Sequence, residues 1–268
     1  MKKRGLLSLV LVGALALSLA ACGKKADDKT ITIGVTPKPH AEIVNAIKPL
    51  VEKQGYTLKV VEFNDYNTPN TALNDKELDA NFFQHQPYLD EVMKNKGYKL
   101  ATVAKVHSEL MALYSKKAKS INDLKDGATI AIPNDATNGA RALKLLAANN
   151  LIKVKDGELI SSKDVTENPK NFKFKELDAA QLPRTLDDVD AAVINANYAL
   201  DAGLNPTDNG LIAEKSDSEF AQKYANILVV RQGDENSDKI KVLKDALNSP
   251  DAKKFIEDKY KGAVIPMF

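Results

Sequence analysis

Short apolar runs alternate with amphipathic stretches along the chain. Ile31-Thr32-Ile33-Gly34-Val35 predicts a buried strand, and Ala41, Val44, Ile47, Leu50 and Val51 recur at helical spacing after it. Gly55 supplies a stop signal, and Leu58 to Phe63 predicts the next strand. The opening is therefore strand–helix–strand, the parallel unit. A helix (Asn70 to Lys76), a strand (Ala80 to Phe83), a helix (Pro87 to Lys96) and two strands (Tyr98 to Val106, Glu109 to Ser115) follow. A second alternating block pairs strand Thr129 to Ile132 with helix Thr137 to Asn149. It continues with strand Phe172 to Leu177, a short helix near Leu182 to Leu186 and strand Ala191 to Ile194. Strand Ile227 to Arg231 and helices Ser237 to Leu247 and Pro250 to Tyr260 close the chain. Two α/β units account for this order.

The first residues break the pattern. Lys2, Lys3 and Arg4 precede an apolar run from Leu6 to Ala21, which ends in Leu19-Ala20-Ala21-Cys22-Gly23. A charged start, a short apolar segment and small residues at its end describe an export signal, 1–21. The run is short for a membrane span, which needs about 20 apolar residues. Its end resembles a bacterial lipobox, with cleavage before Cys22 and lipidation of the Cys22 sulfur. The polar stretch 22–30, without apolar periodicity, reads as a tether. Cys22 is the only cysteine, so no intrachain disulfide is available.

Loss of the signal removes three positive charges and takes the formal balance from +2 to −1. That excludes the basic excess of a nucleic-acid binder. Catalytic patterns are missing: no Gly-x-Ser-x-Gly, no His-Glu-x-x-His, no Gly-Lys-Ser/Thr loop and no Gly-x-Gly-x-x-Gly. His40, His85 and His107 have no paired metal-ligand spacing. No enzyme, cofactor or metal is expected.

Two segments point to binding instead. Glu77-Leu78-Asp79-Ala80-Asn81-Phe82-Phe83 and Asp188-Val189-Asp190-Ala191-Ala192-Val193-Ile194 share a plan of acidic stretch, Asp-Ala and apolar strand. Polar segments follow both, Gln84-His85-Gln86-Pro87 and Asn195-Ala196-Asn197-Tyr198. They fall where open α/β sheets bind ligands, beyond the carboxyl ends of strands. The second segment is the strand end Ile132-Pro133 with Asn134-Asp135-Ala136-Thr137-Asn138-Gly139-Ala140-Arg141. A helix start there offers free N–H groups to an anion, and Arg141 lies close by. A guanidinium grips a carboxylate through paired hydrogen bonds. Taken alone, the residues leave Arg141 equally open to an ordinary ion pair.

Several segments together resemble the methionine-binding lipoproteins, the NlpA or MetQ family. They are Asn64-Asp65-Tyr66 with Pro69-Asn70, Leu78 through His85, Pro87-Tyr88-Leu89, Ile121 through Gly127, Ile132 through Asp135 with Asn138 and Arg141-Ala142-Leu143, Leu182-Pro183-Arg184, Val193-Ile194-Asn195 and Tyr224-Ala225-Asn226. The resemblance implies a two-lobed type-2 periplasmic-binding fold with a ligand cleft between the lobes. Lobe 1 is expected at 31–107 plus 229–268, and lobe 2 at 108–228. Arg141 is expected to bind the ligand carboxylate, with Asn138 beside it. Asn195 and Asn226 are expected to hold the amino-acid head group, and Tyr66, Phe83, His85 and Tyr88 to wall the side-chain pocket.

The residues themselves leave alternatives. Phe82 competes with Phe83 for the cleft face, Asn197 with Asn195, and Tyr88 and His85 also suit structural roles. The implied function is capture of L-methionine, its D-isomer or a methionine-containing dipeptide at the outer face of the cytoplasmic membrane. The implied partners are an ABC permease and its ATPase.

Overall fold

The computed structural model describes residues 29–216 and 219–268, so the expected signal and Cys22 lie outside the described residues. The first half follows the predicted alternation: β1 (Thr30–Val35), α1 (Glu42–Lys53), β2 (Thr57–Glu62), α2 (Thr68–Asn74), β3 (Ala80–His85), α3 (Gln86–Lys96) and β4 (Leu100–Glu109). β5 (Ala112–Tyr114), β6 (Thr129–Pro133), α4 (Ala136–Ala148), β7 (Lys153–Val154), β8 (Val165–Glu167), β9 (Lys173–Leu177), β10 (Ala191–Ile194), α5 (Ala196–Asp201) and β11 (Ile212–Ala213) make the middle. α6 (Glu219–Lys223), β12 (Asn226–Arg231), α7 (Asp238–Leu247), α8 (Pro250–Tyr260) and β13 (Val264–Pro266) close the chain.

The strands form two large mixed sheets, ordered β13-β4-β12-β3-β1-β2 and β11-β5-β10-β6-β9. β1, β2 and β3 run parallel, as do β6, β9 and β10. β12 returns antiparallel between β3 and β4. The chain thus crosses from one sheet to the other twice, after Glu109 and again between Ala213 and Asn226.

Burial explains the layers. β3 is buried along its whole length because helices cover both faces of its sheet. The apolar stripe of α1, Ile43, Val44, Ile47 and Val51, packs on Ile31, Ile33 and Phe82. Leu73, Leu89, Ile227 and Val229 fill the opposite face. In the second lobe, Leu143 and Leu146 of α4 pack with Ile130 and Ile132. Leu182, Leu186, Ala192 and Ile194 cover the other side.

The expected break between Val106 and Glu109 falls later. β13 pairs with Ser108 and Glu109, which carries β4 on to Glu109 before the chain passes through Leu110 and Met111. The helix expected near Leu182 is a 3-10 segment, Ala179–Asp187, with Pro183 inside it. β7, β8, β11 and β13 are two or three residues long, too short for a legible alternation.

Among the described residues no helix is long and apolar enough to cross a membrane.

Candidate functional site

The carboxyl ends of the parallel strands in both sheets face a single cleft. β2 leads into Tyr66, β3 ends at His85, β4 ends at Glu109, β6 feeds α4, and β10 ends before Asn195. Asn226 enters from the start of antiparallel β12, which lies at the same edge. About 350 Å³ of space free of protein atoms, part of it open to solvent, lies in the cleft. Tyr66, Phe83, His85, Tyr88, Asn138, Arg141, Asn195 and Asn226 all line it. Gln84, Glu109, Ala196 and Asn197 complete the lining.

Strand alternation separates the two phenylalanines. Phe82 is fully buried in the core, against the His40 ring at 4.7 Å. Phe83 points to the opposite side and lines the cleft. Tyr66 stands in the middle of an aromatic wall, with ring centroids 6.0 Å from Phe83, 5.8 Å from Tyr88 and 4.9 Å from Tyr198 of the other lobe. The Tyr88 hydroxyl donates to the Tyr66 carbonyl at 3.0 Å, fixing one ring to the other.

Local capping sets the polar side chains. His85 is the N-cap of α3, its Nδ1 accepting from the Tyr88 N–H at 3.2 Å. Nε2 therefore carries the proton and donates to Asn138 Oδ1 at 3.1 Å, across the lobes. Asp135 caps α4 by accepting from the Asn138 N–H at 2.9 Å. Gly139 lets the helix start so close to β6: a Cβ there would lie 2.8 Å from the Pro133 carbonyl oxygen.

Hydrogen bonding decides which atoms remain for a ligand. Asn138 Oδ1 accepts from both His85 and Asn195 Nδ2, the latter at 2.8 Å, and its Nδ2 donates to Asp135. Asn138 is thereby a relay that orients its neighbours. Asn195 spends its Nδ2 on Asn138, and its buried Oδ1 has no partner among the described residues. Asn226 is turned the other way: Oδ1 faces His40 Nε2 at 3.2 Å, so its Nδ2 faces the cleft.

Arg141 is held more tightly than the sequence suggests. Nε donates to Glu214 Oε1 at 2.7 Å, Nη2 donates to Glu214 Oε2 at 2.5 Å, and Nη2 also reaches the Glu109 carbonyl at 2.7 Å. The guanidinium stacks 4.4 Å from the Tyr224 ring centroid. Burial opposes its charge, but Glu214 overcomes that and raises its pKa. Nη1 donates to nothing among the described residues and is the donor left for an anion.

Behind this wall lie two histidines. His107 Nε2 donates to Glu109 Oε1 at 2.7 Å, and His40 Nε2 lies 3.3 Å from the same oxygen. Thr36 Oγ1 meets His40 Nδ1 at 2.7 Å. The three potential ligand atoms of His40, His107 and Glu109 lie within 4.8 Å of one another, the proximity a metal would need. The hydrogen bond between His107 and Glu109, with the His40 ring packed against His107 at 4.9 Å, already accounts for it. Burial lowers the pKa of His40 to about 4, and those of His85 and His107 to about 3, so all three rings are neutral at pH 7.

The lobes meet directly across the cleft. Tyr66 donates to Asn197 Oδ1 at 2.6 Å, His85 to Asn138, and Lys38 Nζ to the Leu200 carbonyl at 3.4 Å. The arrangement is closed.

Glu109, Gln84 and Glu214 escaped the sequence reading. Glu109 sat in a predicted strand, and Glu214 follows a two-residue strand without pattern. Gln84 carries a weak signal, since it precedes His85 in the polar run after β3.

Two α/β lobes joined by two crossovers, with a closed polar and aromatic cleft between them, define a solute-binding protein of the ABC-importer type. The chain belongs to the NlpA lipoprotein family, whose profile matches residues 31–268. It is 42% identical to the methionine-binding lipoprotein MetQ of Bacillus subtilis (strain 168), over 98% of this chain and 97% of that one. A nutrient-binding protein from Burkholderia cenocepacia, solved bound to methionine, superposes with a TM-score of 0.85 at 45% identity. That match covers 89% of this chain and 100% of the other. An ABC-transporter periplasmic substrate-binding protein from Coxiella burnetii superposes at 0.84 with 40% identity, over 88% and 100% of the two chains.

Proposed function

We propose that this lipoprotein captures methionine in the interlobe cleft and hands it to an ABC importer. It is a binding protein, not an enzyme. One observation carries the reading: in a buried, aromatic-walled cleft, Arg141 Nη1 is an uncommitted donor and Asn195 Oδ1 an uncommitted acceptor. A zwitterionic amino acid has the complementary pair, a carboxylate that accepts and an ammonium that donates.

In this reading the carboxylate takes Arg141 Nη1 and Asn226 Nδ2, and the ammonium takes Asn195 Oδ1. Asn138 and His85 hold these groups in register. Tyr66, Phe83 and Tyr88 enclose the side chain, and a thioether packs well against aromatic edges. L-methionine fits these requirements, and so do its D-isomer and a methionine-containing dipeptide.

The lobes on either side of the two crossovers would part to admit the ligand and close on it, because a ligand touching both stabilises the closed form. The tether 22–30 and a diacylated Cys22 would hold the protein at the outer face of the cytoplasmic membrane. Two acyl chains make a stable anchor where one is marginal. There the closed form would dock on the permease whose ATPase drives uptake.

Native mass spectrometry of the protein purified without added ligand, with a thermal-shift panel of the amino acids, tests the reading. Methionine should co-purify or give the largest upward shift. A flat panel, or a larger shift from an amino acid of a different class, would reject it.

A further inference from the structure

One carboxylate lines the cleft and another lies behind Arg141, in very different circumstances. Glu214 is consumed: both oxygens take Arg141, and Oε2 also accepts the Met111 N–H at 2.9 Å. Arg141 is paired with Glu214, and its charge also reaches Glu109, whose carboxyl pKa burial raises and Arg141 partly lowers. Glu109 lines the cleft with no cationic side chain hydrogen-bonded to its carboxylate. Its Oε1 accepts from His107, and the Asn197 N–H reaches the same carboxylate from the facing lobe. His107 and His40 are buried and neutral, so they orient this carboxylate without cancelling its charge.

The other polar groups narrow what can answer it. Asn226 turns its oxygen toward His40, and Asn197 spends its oxygen on the Tyr66 hydroxyl, so both present their amide nitrogens to the cleft. Asn195 Oδ1 is the remaining buried amide acceptor among the lining residues. A buried carboxylate is stable only when paired.

Resting on the amino-acid reading above, we propose that Glu109 is the counter-ion of the ligand's α-ammonium, sharing it with Asn195 Oδ1. The cleft then selects against ligands that lack a positive charge at that position. Glu109 is a specificity-determining residue, and the buried histidines behind it are positioning residues that aim its carboxylate. Discrimination against a des-amino analogue follows because such a ligand leaves both acceptors buried and unpaired.

The test crosses one protein change with one ligand change. Methionine and its des-amino analogue, 4-(methylthio)butanoate, are titrated calorimetrically into the parent mature chain and into Glu109→Gln. The parent should prefer methionine by at least about 30-fold. Glu109→Gln should lose about that factor for methionine and leave the des-amino acid within about threefold. An equal loss for both ligands, or no loss for methionine, overturns the proposal. Glu109→Asp keeps the charge, and serves if the Gln variant fails to fold. It should retain most of the preference for methionine, and its disappearance in a folded Asp variant would also overturn the proposal. If the parent binds neither ligand, the amino-acid reading fails, a result distinguishable from all of these.

Discussion

Arg141 grips Glu214 through Nε and Nη2, the paired edge of its guanidinium, at 2.7 and 2.5 Å. The fork expected to face a ligand carboxylate is therefore occupied from within the protein, and Nη1 is the donor the proposed ligand would use. Glu214 also accepts from Met111 N–H and donates its own N–H to the Met111 carbonyl at 3.0 Å. The group proposed to read the ligand is thus tied to both segments that join the lobes.

This dual commitment separates affinity from stability. Arg141→Ala should weaken methionine binding by about 30- to several-thousand-fold, because one member of a buried charge contact is lost. It should also cost about 3–5 kcal/mol of stability by stranding Glu214. The double variant Arg141→Met with Glu214→Met should recover most of the stability and none of the affinity. Urea unfolding and calorimetry on the three proteins check this. Recovery of binding in the double variant would remove Arg141 from the ligand's contacts.

Tyr66 joins the lobes through its hydroxyl bond to Asn197 and packs on Tyr198. Tyr66→Phe keeps the ring and deletes the bond. A lost bond that leaves a polar atom unpaired costs about 1–3 kcal/mol. Methionine affinity should fall about tenfold, with the change mainly in the dissociation rate. Stopped-flow titration checks it, and unchanged dissociation would show that the bond contributes nothing to closure.

The aromatic wall predicts side-chain selectivity. Methionine should bind more tightly than valine or alanine, since each buried methylene contributes about 0.8 kcal/mol. Norleucine isolates the sulfur–aromatic contacts, about 0.3–1.5 kcal/mol, and should bind at most about tenfold more weakly than methionine. Phe83→Ala should narrow the gap between methionine and alanine. Phe82→Ala should mainly destabilise the fold, because Phe82 is a core residue. Titrating the four ligands on the parent and both variants decides it.

Three neutral buried histidines predict acid sensitivity. Their native pKa values, about 4 for His40 and about 3 for His85 and His107, lie below the unfolded value of 6.5. The unfolded chain therefore takes up protons first as pH falls. Their contribution is fully present above pH 6.5 and declines below it, with a limiting slope of about 4 kcal/mol per pH unit for three protons. Urea unfolding at pH 7, 6 and 5 should show the decline, and His107→Gln should make it shallower. Constant stability from pH 7 to 5 would contradict this protonation scheme.

Much of this was legible in the sequence where local pattern and packing agree. The strand–helix alternation is plain, and β3, α4 and β10 lie where apolar spacing puts them. The family resemblance, not the periodicity, named the eight candidate side chains, and all eight line one cleft. Hydrogen-bond allocation was not legible. That Asn195 offers an oxygen and Asn226 a nitrogen depends on Asn138 and His40, which are 57 and 186 residues away in sequence. Glu109 and Glu214 were hidden for the same reason: their significance comes from partners across the crossovers, and no periodicity encodes that.

The most direct test of the account is one calorimetric titration of L-methionine into the mature chain, stripped of bound ligand by unfolding and refolding. The account predicts a saturable one-to-one isotherm that Arg141→Ala abolishes or shifts by at least about 30-fold. No binding to the refolded parent, or an isotherm unchanged by Arg141→Ala, would contradict it.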